Sequence, residues 1–306
     1  MQRGGTSELA GPSERSSFAA GDGLTTALID GLGAGTSIDP RLRDPALRLA
    51  DAYMIADRVR AARVADGART VGRKIGFTNA ELAATFGAPG PIWGWVYDRT
   101  LVRLADIAGL HWKERSHEET VQPLAGLAEP RLEPEIVLGL AHSPSSGMDE
   151  RELAACVDRA ALGFEIVQSV FPGWRFTAAE AVAGHGLHGA LVVGPNLPLP
   201  TDQGSLSQSE MTDPSIALNG LAVRLERGGE AIATGIGANA HGGPLRALRW
   251  LVDELGRTGA APLEAGEVVT TGTLTGAHPI GVGETWQAIA ASPASKETVS
   301  LTARFG

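Results

Sequence analysis

The sequence predicts an α+β fold built on a folded-over sheet. Three observations carry this. From about Tyr97 onward the chain breaks into short strand-like segments bounded by turn residues. Helical segments are inserted between these strands rather than alternating with them one for one, which argues against a parallel doubly wound sheet. The first part of the chain is helical in pattern instead. Three stretches follow: a disordered segment over 1–23, a helical N-terminal part over 24–96, and a strand-rich domain over 97–306.

Residues 1–23 are rich in Gly and Ser and carry Glu8, Glu14 and Asp22, which suits neither a packed helix nor a signal-peptide core. Order is expected to begin near Leu24. Asp44-Pro45 pairs a capping residue with a proline suited to the first helical turn. Leu49, Tyr53, Ala56 and Val59 then recur at helical spacing, and Gly67 closes the run. Residues 69–77 read as a strand and 80–86 as a helix. Further strands are expected at 100–104, 133–140, 160–170, 188–193, 216–226, 268–271, 285–290 and 298–305. The last of these alternates cleanly, with Val299, Leu301, Ala303 and Phe305 against Ser300, Thr302 and Arg304. Two helices interrupt them. One starts at Asp149, with Glu152 three residues on as in a capping box. The other starts at Gly243-Pro244 and repeats Leu245, Leu248, Val252 and Leu255. The run His111–Thr120 is strongly polar and reads as a mobile surface loop.

Composition narrows the function. The 306 residues are 43% hydrophobic and 20% charged, with a formal net charge of −9, which is ordinary for a globular protein and leaves no footprint for nucleic acid. The single cysteine, Cys156, rules out an internal disulfide framework and a thiolate zinc site and is expected in the core. No apolar run has the length of a bilayer span, so no membrane partner is expected and the cytoplasm is the default location.

Two stretches place carboxylates where a strand should be apolar: Glu133-Pro134-Glu135-Ile136-Val137-Leu138, and Leu162-Gly163-Phe164-Glu165-Ile166-Val167. Side chains alternate across a strand, so Glu133 and Glu135 share a face, roughly 6–7 Å apart at about 3.3 Å rise per residue. A buried unpaired carboxylate costs several kcal/mol or takes up a proton. Three converging carboxylates would call for a hard divalent cation, Mg²⁺ or Mn²⁺. On spacing alone the alternative stays open: edge-strand glutamates facing water or arginines, with Pro134 marking an edge or a bulge.

Four segments in order add a resemblance. They are Gly72-Arg73-Lys74-Ile75-Gly76-Phe77-Thr78; Arg131-Leu132-Glu133-Pro134-Glu135-Ile136; Gly163-Phe164-Glu165-Ile166-Val167; and the Pro244–Leu251 run followed by Leu263–Gly272. Together they resemble the 2-keto-4-pentenoate hydratase and 4-oxalocrotonate decarboxylase branch of the fumarylacetoacetate hydrolase superfamily, over roughly residues 40 to 306. The resemblance implies that superfamily's C-terminal-like mixed β-roll with a helical part packed on it. It matches Glu133, Glu135 and Glu165 to metal ligands, Lys74 to an active-site lysine, and Thr271-Gly272-Thr273 to the segment that approaches the substrate carboxylate. It also suggests a homo-oligomer. Three carboxylates leave about three positions on an octahedral ion, enough for a 2-oxo acid to bind through its carboxylate and keto oxygen. The ion would then stabilise an enolate, and a lysine with a lowered pKa would move protons.

The chain departs from the branch pattern in two places. Gln168 and Val170 stand where an Asp and an Arg are usual. Ala183-Gly184-His185-Gly186-Leu187-His188-Gly189 replaces an Ala-Asp-Asn-x-Ser-Ser-Gly stretch. His185 or His188 is therefore a candidate for proton transfer, or a hydrogen-bonded loop histidine. Trp93, Trp95 and Trp174 are candidates to wall a pocket, or core residues. The leading functional reading is a metal-dependent hydratase of a 2-oxo or 2-hydroxy-dienoic acid, with a place in aromatic catabolism. A carbon–carbon hydrolase or a 2-oxo acid decarboxylase is the rival, the hydrolase using His117 and Glu118 from the polar loop as a lid pair. A noncatalytic small-acid-binding partner is the third reading.

Overall fold

The computed structural model describes residues 12–104, 117–197, 214–292 and 298–306. Among these residues thirteen strands follow in order: β1 Thr70–Gly76, β2 Ile92–Tyr97, β3 Leu101–Arg103, β4 His117–Gln122, β5 Arg131–Leu140, β6 Val157–Val167, β7 His188–Asn196, β8 Ala222–Arg227, β9 Glu230–Ile236, β10 Val268–Thr273, β11 His278–Pro279, β12 Thr285–Ala291 and β13 Thr298–Phe305. They form two sheets. The larger runs β2-β1-β10-β5-β6-β7-β3, with β11 paired to β5, and the smaller runs β4-β13-β12-β8-β9. Parallel and antiparallel pairings mix in both. This is the α+β fold with a curled mixed sheet that the sequence predicts.

Strand parity divides the larger sheet into two faces. Leu132, Ile136, Leu138 and Leu140 of β5, with Leu162, Phe164 and Ile166 of β6, face outward. They join the main core against the second sheet, through Leu225, Trp286, Ala288 and Leu301, and against the Pro244–Thr258 helix. That helix buries Leu245, Leu248, Leu251, Val252 and Leu255, one apolar stripe at helical period. The inner face is narrower. Its apolar part is Val96, Val137, Ala161, Leu191, Val193 and Val268, and the remainder carries the charged residues described below. The sheet curls until β2 meets the His185–Leu187 turn just ahead of β7. A Cβ on Gly94 would lie 2.2 Å from the His185 carbonyl oxygen, so the approach admits no side chain there.

A third core holds the helical part. Leu24, Leu28 and Leu32 of the Pro12–Ala34 helix pack with Ile55 and Val59 of the Leu49–Ala65 helix and with Ala179, Val182 and Ala183 of the Ala178–Ala183 helix. Glu180 on this last helix is fully buried. It takes a bidentate bond from Arg43, at 2.9 and 2.7 Å, and accepts from the Thr177 backbone N–H at 2.8 Å. The arginine thus ties the segment before the second helix to the helix that leads into the His185 turn.

Several expectations are corrected. Helix begins at Pro12, inside the segment expected to be disordered, while residues 1–11 lie outside the described residues. The strand expected at 69–77 is β1, and it pairs with the unexpected β2, so the part 24–96 contributes two strands to the larger sheet as well as helices. Asp44-Pro45 opens a turn, in which Asp44 accepts from Ala46 and Leu47, and the helix starts four residues later at Leu49. The strand expected at 216–226 is a Pro214–Asn219 helix followed by β8; proline suits a first helical turn, and the apolar run is too short to show a period. Strands β2, β4, β9 and β11 were not anticipated. Gly228-Gly229, both at positive φ, join β8 and β9 in the two-residue hairpin that such backbone angles favour. The main chain of His117 and Glu118 lies in β4, paired with Ser300 and Leu301 at the edge of the second sheet, not in a loop; residues 105–116 are outside the described set. The capping box of Asp149 and Glu152 is present, and Cys156 is buried and free. Among the described residues no helix is long and apolar enough to cross a membrane.

Gly94→Ala should force β2 away from the His185 turn. Overpacking of this kind costs about 1–3 kcal/mol, and urea denaturation of the variant should show a loss in that range.

Candidate metal centre

Strand register assembles the carboxylates. Glu133 on β5 lies opposite Glu165 on β6, and Glu135 lies opposite Gly163. All three side chains point to the inner face, where a donor oxygen from each lies within 4.8 Å of the others. Glu135 and Glu165 are fully buried and Glu133 keeps part of its surface exposed. Pro134 sits inside the sheet rather than at an edge. It occupies the gap where β10 leaves β5 in a register shift and β11 takes over, and only its carbonyl is bonded, by Leu274 N–H at 2.9 Å. The irregularity spares the proline a missing ladder bond.

Lys74 arrives from β1, opposite Gly94 on one side and Thr270 on the other. Its Nζ donates to the Gly186 carbonyl at 2.9 Å and lies 3.3 Å from Glu165 Oε2. His188, at the start of β7, places Nδ1 3.0 Å from Glu165 Oε1. Thr270 Oγ1 reaches Glu165 Oε2 at 3.4 Å, and Gly272 N–H donates to Glu135 Oε2 at 2.9 Å. The other oxygen of Glu135, Oε1, is buried without a hydrogen-bond partner among the described residues. The cluster is hard oxygen throughout, with one orphaned lone-pair donor, which is the donor set a Mg²⁺- or Mn²⁺-sized ion requires.

The electrostatics follow from burial and mutual charge. Burial pushes the Glu133 carboxyl up to about 7, against the pull of Lys74. Burial and the neighbouring Glu165 and Glu133 charges raise Glu135 well above the usual carboxylate range. Burial acts on Glu165 as well, but Lys74 and the His188 bond outweigh it and hold this carboxyl below its usual value. For Lys74, burial opposes the charge, yet Glu165, Glu133 and Glu135 together outweigh burial and hold the ammonium above the ordinary lysine value. The lowered lysine expected from sequence is thus reversed: three nearby anions count for more than desolvation.

The two histidines separate. His188 belongs to the cluster. His185 turns its Nε2 to the Tyr97 hydroxyl at 3.1 Å, its Nδ1 has no partner, and among the described residues no hydrogen bond joins it to the carboxylates. Burial lowers the pKa of both, His185 strongly and His188 less, because Glu165 opposes the shift. In the Thr271–Gly272–Thr273 segment, the Thr271 hydroxyl donates to the Ile136 carbonyl at 2.8 Å, while Thr273 lies opposite Glu135. Gln168, which stands at a departure from the branch pattern, bonds the Ala128 N–H and the His188 carbonyl, and Val170 is core.

Parity also places the tryptophans. Arg73, Trp93 and Trp95 face away from Lys74. Arg73 is buried over the Trp95 ring at 3.3 Å and pairs with Glu267 at 3.0 Å, and burial lowers its pKa to about 10. Trp93 and Trp95 line a separate cavity of about 910 Å³ with Tyr53, Arg60 and Arg257. Trp174 lies under the Arg131 guanidinium at 4.1 Å, two positions along β5 from Glu133. Thr100, Tyr97 and Thr270 were missed by sequence reasoning. No local signal marks them, because only tertiary register brings them to the histidines and to Glu165.

No family model matches the chain. Individual proteins do. It is 31% identical over 244 residues to 2-keto-4-pentenoate hydratase 1 of Dechloromonas aromatica (strain RCB), covering 78% of this chain and 81% of that one. It is 30% identical over 251 residues to the 2-keto-4-pentenoate hydratase of Paraburkholderia xenovorans (strain LB400), covering 81% and 82%. The chain belongs to the 2-keto-4-pentenoate hydratase branch of the fumarylacetoacetate hydrolase superfamily. It is an enzyme of that branch. The fold agrees: 4-oxalocrotonate decarboxylase from Pseudomonas putida G7, complexed with magnesium and adipate, superposes with a TM-score of 0.74 at 22% identity, over 97% of this chain and 100% of that one. Fumarylpyruvate hydrolase from Pseudomonas aeruginosa, in complex with Mn²⁺ and pyruvate, gives 0.51 at 15% identity, over 77% and 90%.

An ion held at Glu133 would have to displace the proton on its carboxyl. The carboxyl is protonated below about 7 and ionised above it. Mn²⁺ affinity should therefore rise with pH through that value, and calorimetry at pH 6 in buffers of different ionisation enthalpy should record proton release on binding.

Proposed function

We propose that this protein is a metal-dependent hydratase of 2-hydroxy-dienoic acids, with Glu133, Glu135 and Glu165 holding Mg²⁺ or Mn²⁺. The observation that carries the reading is the buried carboxylate triad with its orphaned Glu135 oxygen, set beside a lysine. Three carboxylates and one ammonium sum to two negative charges, which one divalent cation balances. When bound, the ion would supply Lewis-acid polarisation of the 2-oxo acid head.

The chain's own groups do the rest. Lys74 is held protonated and is fixed between Gly186 and Glu165, so it acts as a proton donor to the substrate chain rather than as a base. Gly272 N–H bonds Glu135, and Thr273, opposite Glu135 in the ladder, is assigned with Thr271 and Gly272 to the substrate carboxylate. The apolar inner face beneath, Val137, Leu191 and Val193, excludes water from below. His188 supports Glu165. His185, turned to Tyr97, has no part in the proton transfer. The rival carbon–carbon hydrolase reading relied on a lid carrying His117 and Glu118, and their main chain is engaged in β4.

Product analysis tests the reading. Incubation with 2-hydroxypenta-2,4-dienoate and Mn²⁺ should give a product heavier by one water. Carbon dioxide release, cleavage of acylpyruvates, or no turnover of either substrate would replace it with the decarboxylase, hydrolase or noncatalytic reading. Glu135→Ala should abolish Mn²⁺ binding and turnover while its circular dichroism stays that of the parent. Unchanged metal affinity in this variant would remove Glu135 from the ligand set.

A further inference from the structure

We infer that Thr100 and His188 form a positioning pair that fixes Glu165 in the orientation a cation needs. The inference rests on the reading of Glu165 as a metal ligand and adds residues outside that ligand set.

Glu165 has no exposed surface, so protein groups alone decide where its lone pairs point. Three of those lone pairs are already engaged. His188 Nδ1 holds Oε1 at 3.0 Å, and Lys74 Nζ and Thr270 Oγ1 approach Oε2 at 3.3 and 3.4 Å. Each carboxylate oxygen accepts two bonds, so Oε2 is filled and the one remaining site is on Oε1, the oxygen that His188 holds. A carboxylate only accepts, and Nδ1 must therefore carry hydrogen. The opposite nitrogen, Nε2, lies 2.9 Å from Thr100 Oγ1. That hydroxyl accepts from Tyr97 N–H at 3.2 Å and has one hydrogen to donate, within reach of both the Tyr97 carbonyl at 3.1 Å and Nε2 at 2.9 Å; with Nδ1 carrying the ring hydrogen, a neutral ring's Nε2 is the acceptor that pairs Thr100 with His188. Both ring nitrogens are thus engaged from fixed points, and rotating the imidazole would break both contacts. Gln168, bonding the His188 carbonyl, fixes the backbone beneath. Thr100 and His188 are separated by most of the larger sheet in sequence and meet only because β3 pairs with β7.

Partners of this kind set ligand orientation, and losing one typically weakens metal binding about 10–100-fold. Thr100 also borders a cavity of about 590 Å³ lined by Arg63, Tyr97 and Gln168. Removing its whole side chain would let water in to replace the hydroxyl. The informative change keeps the shape and deletes only the oxygen.

The test is Mn²⁺ titration by calorimetry on the full chain, with thermal unfolding as the control for fold. Thr100→Val should weaken Mn²⁺ binding about tenfold with its unfolding midpoint near that of the parent, and Thr100→Ser should restore the affinity. His188→Asn keeps a donor toward Glu165 but offers Thr100 no second nitrogen, so in that background Thr100→Val should have no further effect. Parental affinity in Thr100→Val, or an equal loss in both backgrounds, would overturn the pairing while leaving the ligand reading intact. No Mn²⁺ binding by the parent would overturn the ligand reading itself, and the pairing with it. A nitrogen-15 spectrum of the parent, with His188 assigned by difference from His188→Asn, gives a readout that does not depend on whether Thr100→Val folds. Hydrogen on Nδ1 is expected, and an Nε2–H tautomer with bare Nδ1 would overturn the inference.

Discussion

The inner face of the larger sheet carries three carboxylates and one ammonium where most sheets carry only hydrocarbon. Everything around it answers that charge. Lys74 offsets part of it, His188 and Gly272 bond what the lysine does not reach, and proton uptake by Glu133 and Glu135 is the alternative to a cation. An isolated ion pair of this burial is weak evidence for stability, since desolvation consumes most of the Coulomb gain. The arrangement makes sense as a device for binding a hard ion with high charge density, with stability supplied by the apolar outer face.

The division of labour follows from period-two alternation. Odd-numbered positions of β5 and β6 hold the chemistry and even-numbered ones hold the core, so each strand serves both without compromise. The Pro134 gap, the register shift in β10 and the glycine at position 94 lie where this alternation meets the demands of the site. The β10 shift and the break at Ile166–Val167 lie beside the carboxylates; other shifts lie away from them, at Thr70–Gly72, Gly139–Leu140 and, in the second sheet, Leu225–Glu226.

Much of this was legible in the chain. A glutamate in a run such as Gly163-Phe164-Glu165-Ile166-Val167 breaks the apolar expectation of a central strand, and Glu133 and Glu135 fall on one face by arithmetic alone. Lys74 was legible through the motif around it. What remained hidden depends on register between distant strands. Nothing near Thr100 announces a partner at His188, and nothing near His185 says that it turns to Tyr97 instead of the carboxylates. Which of the two readings of Trp93 and Trp95 holds also depends on register: parity puts them across the sheet from Lys74, in the core and beside a separate cavity. The direction of the Lys74 shift could not be read without knowing that three anions surround it. Short elements such as the Pro214–Asn219 helix and β9 lack the length for a period to declare itself.

The Arg43–Glu180 tie makes the helical part more than packaging. Glu180 sits on the six-residue helix that runs straight into Gly184 and the turn carrying Gly186, whose carbonyl receives Lys74. Its counter-charge comes from a different region of the chain, ahead of residue 49. Stripping that region away would strand a fully enclosed carboxylate, a loss of about 3–5 kcal/mol where one member of such a pair is removed, and would slacken the turn on which the ammonium rests. The sheet on its own is therefore not a transplantable module. Chimeras that swap it between relatives would have to carry the amino-terminal helices along with it.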